Sequence, residues 1–224
     1  MRLPRRFRSR RGQSLVEFAM ILPVIMFLLL GMIEMGFAIN HNTSIVTATR
    51  QGARVGSELV DGNDRTGIVG ITPTSQTVDT QIIAAVQGTL ISPGSPITIA
   101  QVKTIEIFLA TDTGAMTSSV NTWIPAYDSS THAPSGPEIP GSSCSPTKCL
   151  LSFGPDPNPA KNTWDASTRS GVSTAQSIGV RITYTYKFLT PLGSLITAVG
   201  GSLFGSGQIT MSDQTVMAME PPTP

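Results

Sequence analysis

Gly12-Gln13-Ser14-Leu15-Val16-Glu17-Phe18 opens an almost unbroken apolar run that ends near Ile39. A helix that crosses a bilayer needs roughly 20 mostly apolar residues, and the stretch 18–39 meets that length. Arg2, Arg5, Arg6, Arg8, Arg10 and Arg11 precede it with no acid among them. Short arginine-rich flanks stay on the cytoplasmic side of a membrane. The pattern therefore predicts an N-terminus inside, a span over 18–39, and everything after about Asn40 outside.

Two carboxylates interrupt this pattern. Glu17 sits at the cytoplasmic edge of the run and Glu34 towards its outer end. A charged group at the bilayer centre costs about 2.5–3.5 kcal/mol on insertion scales, and less near an interface. Glu34 is expected either to snorkel outward or protonate, or to contact another helix in an assembly. Glu17 differs because its neighbours form a motif. A basic leader, Gly12, four residues, Glu17-Phe18 and an apolar helix together resemble the processing site of type IV prepilins.

That resemblance implies a membrane-embedded prepilin peptidase cutting between Gly12 and Gln13. The new α-amine of Gln13 then lies one helical turn from Glu17. In that superfamily the glutamate pairs with the N-terminal amine of a neighbouring subunit, a charge-assisted contact away from water. A secretory signal peptide is the competing interpretation, with Gly36-Phe37-Ala38 as its cleavage site. Signal cores are about 7–15 residues long, shorter than this run. An uncut signal anchor is the third alternative.

The helical period continues past the membrane. Ala38, Ile45, Thr49, Gly52, Val55 and Leu59 recur at spacings of three, four or seven, and Asp61-Gly62-Asn63-Asp64 supplies breakers. One helix over about 14–59 would be about 70 Å long. Pro23 removes a backbone donor and is expected to kink or loosen it. Ala48, Gly52 and Gly56 make a row of small residues that lets another backbone approach. It is expected to pack against this chain's own sheet, with a subunit interface as the alternative. Arg50 and Arg54 line one side, solvated or near lipid headgroups.

Gly12-Gln13-Ser14-Leu15-Val16-Glu17-Phe18-Ala19, then Leu22-Pro23, Gly31-x-x-Glu34-x-Gly36 and Ala48-Thr49-Arg50-Gln51-Gly52-Ala53-Arg54 resemble the TadE-like family. These are minor pilins or pseudopilins of tight-adherence (Tad/Flp) pilus systems. The resemblance is close over about the first sixty residues and returns weakly in a Val-x-Ile-x-Tyr-x-Tyr strand and a terminal Met-x-Met-Glu. Classical type IV pilins usually carry Phe-Thr-Leu-Ile-Glu after the glycine, which this chain lacks. The resemblance implies processing by the prepilin peptidase, membrane insertion, and assembly with other pilin subunits and the Tad machinery.

The expected domain plan has three parts: a basic leader over 1–12, the long helix over 13–60, and an extracytoplasmic α+β domain over 61–224. Some 165 residues follow the helix, within the range of one domain. Ile82, Ile83, Val86 and Leu90 predict an amphipathic helix over 78–90, capped by Thr77 or Asp79 and closed before Pro93. A strand is expected over 97–109. The clearest one follows at 178–188, where Ile178, Val180, Ile182, Tyr184, Tyr186 and Phe188 share one face and Arg181, Thr183, Thr185 and Lys187 the other. Such alternation marks an antiparallel sheet with one face on a core. A short helix over 192–204 and a last strand over 208–219 complete the set. The fold class is thus α+β and pilin-like, with the outer part of the long helix covering the sheet. Residues 111–175, rich in Pro, Gly, Ser and Asp, are expected to form a long loop insertion anchored by Trp123 and Trp164. That insertion is either a surface excursion or a partner-binding element.

Cys144 and Cys149 are the only cysteines. Outside the membrane a disulfide between them is the default, and its loop is so short that its effect is local. A structural zinc site needs four ligands and only His132 lies near, so no metal is expected. Asp112-Thr113-Gly114 imitates an aspartic-protease turn, but that chemistry needs two facing carboxylates and one copy exists. His41 and His132 form no recognisable nucleophile arrangement, and Asp61-Gly62-Asn63-Asp64 departs from a calcium loop. No enzyme activity and no cofactor are expected.

The arginine leader holds six of the fifteen basic residues, which leaves nine against fourteen acidic ones. Nothing electrostatic points to nucleic acid. The function expected is a minor pilin or pseudopilin that serves adhesion or secretion. It would sit in the cytoplasmic (inner) membrane and, once assembled, be extracellular in a pilus. The alternative is a single-pass anchored binding domain outside any filament.

Overall fold

The computed structural model describes residues 11–59, 75–128, 130, 133–139, 150–165, 168–169, 176–191, 193 and 208–219. The leader residues before Arg11, the breakers at 61–64, the Cys144–Cys149 pairing, His132 and nearly all of the helix expected over 192–204 lie outside them. The chain divides into two compact units, one of residues 1–39 with 187–208, the other of 40–186 with 209–224.

Helix α1 covers Arg11–Glu58, 48 residues, and is continuous through Pro23. The missing donor at Pro23 takes the partner from the carbonyl one turn earlier without ending the helix. From Phe18 to Ile39 α1 is apolar apart from Glu34, as the sequence predicts for a span.

In the second unit the remainder of α1 is amphipathic and α2, Ser75–Leu90, packs beside it. Five strands form one antiparallel sheet: β1 Val102–Ala110, β2 Met116–Pro125, β3 Phe153–Pro155, β4 Ser177–Lys187 and β5 Gln208–Ala218. Their order across the sheet is β3-β2-β1-β4-β5. The chain passes from α2 into β1 through a short 3-10 turn at Ile99–Gln101, so β1 begins later than the strand expected from 97.

The buried side chains of β4 are those the alternation picks out. Ile178, Val180, Ile182, Tyr184 and Tyr186 face the core, while Arg181 crosses to Glu106 of β1 at 2.6 Å on the other face. Ile45, Ala48, Thr49 and Ala53 of α1 and Ile82, Ile83, Val86 and Leu90 of α2 close over that core. The small-residue row has a clear packing role. A Cβ on Gly52 would come 2.6 Å from Val86 Cγ2 and 3.4 Å from Val180 Cγ1, and one on Gly56 2.7 Å from Ile178 Cδ1. These glycines let α1 sit directly on α2 and β4.

Two expectations are corrected. The stretch 111–175 is not a loop throughout, because it supplies β2 and β3. β2 pairs antiparallel with β1, Ile105 opposite Trp123 and Phe108 opposite Val120. The connecting residues form a hairpin turn, with Thr111 N donating to Ala115 O at 2.9 Å and Gly114 at φ 80°. The protease-like Asp112-Thr113-Gly114 is that turn, and its glycine takes up the left-handed conformation that other residues resist. The second correction concerns the cap of α2: Thr77 and Asp79 both lie inside the helix, and Asp79 is buried.

Candidate functional site

The apolar part of α1 is the largest functional feature of the first unit. Within it, Leu15, Val16, Phe18, Met20, Ile21 and Met32 are all more than half exposed, and the pattern continues around the helix. Monomeric soluble proteins rarely expose contiguous apolar patches larger than a few hundred Å². The helix is long and apolar enough to cross a membrane, and among the described residues nothing covers its most apolar window. The Gly12–Gln13 bond lies within the described part of α1, Arg11–Glu58. Glu17 and Phe18 follow on the exposed surface.

Glu34 has a setting that the sequence did not indicate. It is only 5% exposed. Its carboxylate accepts two backbone N–H groups, Leu189 N to Oε1 at 3.1 Å and Thr190 N to Oε2 at 2.9 Å. The acid thus has backbone partners in its own chain, which neither expectation named. It clasps the chain just after β4, in the same unit.

Beyond Ile39 the character of α1 changes. Gly52 and Ala53 are buried against α2 and β4, while Arg50 and Arg54 point to solvent. Arg54 pairs with Glu58 one turn on, at 3.2 Å. Pairs of this exposed kind contribute little, about 0.3–0.5 kcal/mol. His41, also in this stretch, is buried edge-to-face on Tyr186 with ring centroids 5.1 Å apart.

A run of exposed hydrocarbon starting at Leu15 and a packed small-residue stripe over Ala48, Gly52 and Gly56 thus follow one another along a single helix. The chain carries a TadE-like segment at residues 12–54. The family described as TadE-like protein matches over those residues, the stretch that also carries the quoted motifs. No curated protein and no solved structure matches the chain significantly. The TadE-like family is one of Tad pilus-associated proteins. The TadE-like segment holds the bare apolar surface, the arginine pair, and the first part of the face that packs in the second unit.

The second unit carries a cleft of about 560 Å³. Its floor is Asp79, Asn121, Trp123 and Trp164, and Asp156 and Pro157 stand at its rim. Asn121 spends its whole amide inside: Nδ2 donates to Asp79 Oδ2 at 2.6 Å and to Trp164 O at 2.7 Å, and Oδ1 accepts from Trp164 N at 3.0 Å. At the rim, a backbone hydrogen bond from Asn158 and the Lys161 ammonium hold the Asp156 carboxyl below its ordinary pKa. Sequence reasoning took Trp123 and Trp164 for isolated anchors. They form one buried cluster with Asp79, a residue more than forty positions earlier in the chain. Among the described residues no three His, Cys, Asp or Glu side chains gather into a metal-ligand set.

Proposed function

We propose that this protein is a minor pilin or pseudopilin of a Tad/Flp-type pilus, cut between Gly12 and Gln13 by a prepilin peptidase. The observation that carries the reading is the coincidence of the TadE-like match with the uncovered apolar surface of α1. Such a surface needs hydrocarbon around it at every stage. Lipid supplies it first, in the cytoplasmic (inner) membrane with the leader inside. Apolar helices of other subunits supply it later, and burial there contributes about 25 cal/mol per Å².

Position supports the processing step. The Gly12–Gln13 bond lies five residues before the apolar run that begins at Phe18, on the arginine-rich side of it. Cutting there removes six arginines and with them the cytoplasmic charge that holds the anchor in place. The second unit then stands outside, where it serves assembly, adhesion or secretion.

N-terminal sequencing or intact-mass measurement of the protein from its own host tests this reading. A terminus at Gln13 is expected, and Gly12→Leu is expected to keep the leader while still inserting. Mature protein that begins at Met1 would leave a plain single-pass anchor with an outer binding domain. Normal maturation of Gly12→Leu would remove the peptidase from the account.

A further inference from the structure

Glu34 is the sole charged residue between Phe18 and Ile39. It lies five residues before the end of the apolar run, about 7–8 Å inside that end along the helix axis. The backbone of Leu189 and Thr190 is fastened to it through both carboxylate oxygens. A non-helical piece of chain is therefore held level with the apolar part of α1. Non-helical backbone at membrane depth is tolerated where protein buries it, and here the buried Glu34 takes two N–H groups of the turn towards the outer end of the run.

The chemistry of the fastened turn fits the same depth. Leu189, whose own amide is clasped, is 61% exposed. The sequence carries no charged residue from Phe188 to Ser212, and Lys187 marks where charge stops. Compact-unit boundaries fall at the same place, with 187–208 grouped with 1–39. An exposed leucine on an uncharged turn, continuous with a bare apolar helix, is a lipid-facing arrangement.

We infer that the turn at 188–191 enters the bilayer beside α1, at the C-terminal end of the span, and makes a second contact whose partner is the acyl-chain region of the lipid. Glu34 is the positioning residue that holds it there. The inference rests on reading 18–39 as a membrane span. It makes the β4–β5 connection an anchor point, so the outer domain is tied to the membrane by two elements in place of one.

Environment-sensitive labelling tests it. The full chain, with Cys144 and Cys149 replaced by serine, carries a nitrobenzoxadiazole label at Leu189→Cys, at Leu28→Cys or at Thr113→Cys, and is placed in phosphatidylcholine nanodiscs holding doxyl-labelled lipid. Position 28 reports the span and position 113, in the hairpin turn, reports water. The label at 189 is expected to be blue-shifted and quenched at least twofold more than at 113, most strongly by a shallow doxyl group. A water-like signal at 189 with strong quenching at 28 overturns this inference and leaves the span intact. Water-like signals at both 189 and 28 overturn the span reading and the inference with it. Glu34→Ala is expected to lower the quenching at 189 and not at 28, and unchanged quenching at 189 would remove Glu34 from its positioning role. Photoreactive acyl-chain lipid on the unsubstituted chain gives the same answer without a variant: adducts at 188–191 are expected, and adducts confined to 18–39 would overturn the proposal.

Discussion

Arg169 Nη1 lies 2.7 Å from Asp79 Oδ1, with the two side chains only 1% and 3% exposed. The guanidinium also lies 4.3 Å from the centre of the Trp164 ring, and Asn121 donates to the other carboxylate oxygen. The contact is one of charge more than of aligned hydrogen bonding, since Arg169 Nε and Nη1 lack hydrogen-bond acceptors in suitable geometry. Removing one member of a buried pair leaves the other as an uncompensated charge, which costs about 3–5 kcal/mol. Asp79→Ala is expected to lose that much in urea unfolding of the full chain in detergent micelles, followed by tryptophan fluorescence. The double variant Asp79→Leu/Arg169→Met should lose less than Asp79→Ala. A single-variant loss below about 1 kcal/mol would reduce the pair to a surface-like contact.

The glycines of the helices separate packing from propensity. Gly52 faces Val86 Cγ2 so closely that an added Cβ would sit at 2.6 Å. Overpacking of this kind costs about 1–3 kcal/mol, against a helix-propensity gain of about 1 kcal/mol for alanine. Gly88 of α2 is exposed and has nothing within 4 Å of its would-be Cβ. Gly88→Ala is therefore expected to stabilise by close to the full propensity difference, and Gly52→Ala to be neutral or destabilising. Gly52→Leu should be clearly destabilising. Thermal melts by circular dichroism decide it, and equal gains at 52 and 88 would show that α1 does not pack here as described.

Much of this architecture was legible in the sequence, and what escaped has a physical reason. α1 and β4 announce themselves because their buried faces are apolar at one period throughout. β2 did not, because two of its three fully buried positions are Asn121 and Thr122, and polar core residues break the alternation. Asn121 is tolerated in the core by Asp79 and the Trp164 backbone, partners some forty residues away that no local pattern reveals. Asp79 itself looks like a helix cap, since the same side chain serves at a terminus or in an ion pair. Glu34 carried two expectations, and neither included a backbone partner at 189 and 190. The TadE-like segment was legible because its signal is local to a single helix. The cleft and the Glu34 clasp were not, because they are long-range.

Tyr184 gives a pH handle on the sheet. Its hydroxyl donates to Met211 Sδ at 3.1 Å. Burial, and secondarily the Asp213 charge, push its pKa above the ordinary value. The neutral phenol thus favours the folded state. Its contribution is fully present below the unfolded value of about 10 and is lost as pH rises through the higher folded value. Phenolate absorbance is expected to show Tyr184 ionising late. Asp213→Asn should bring the midpoint down only part of the way, because burial is the larger cause. A drop to the ordinary value in that variant would mean that the carboxylate, and not burial, dominates.

Glu17 separates assembly from folding. It lies on the exposed surface of α1, one turn after Gln13, and takes no place in the buried core. Under the pilin reading its carboxylate meets the α-amine that cleavage creates at Gln13 on a neighbouring subunit. Hydrogen bonds to charged groups contribute about 1.5–3 kcal/mol, so Glu17→Gln is expected to lower incorporation into pili about tenfold or more. The melting temperature of the outer domain should stay unchanged, and the N-terminus of the inserted protein should still be Gln13. Immunoblots of sheared surface fractions against membrane fractions measure the first quantity, and N-terminal sequencing the last. Unaltered incorporation with complete cleavage would show that this glutamate takes no part in joining subunits.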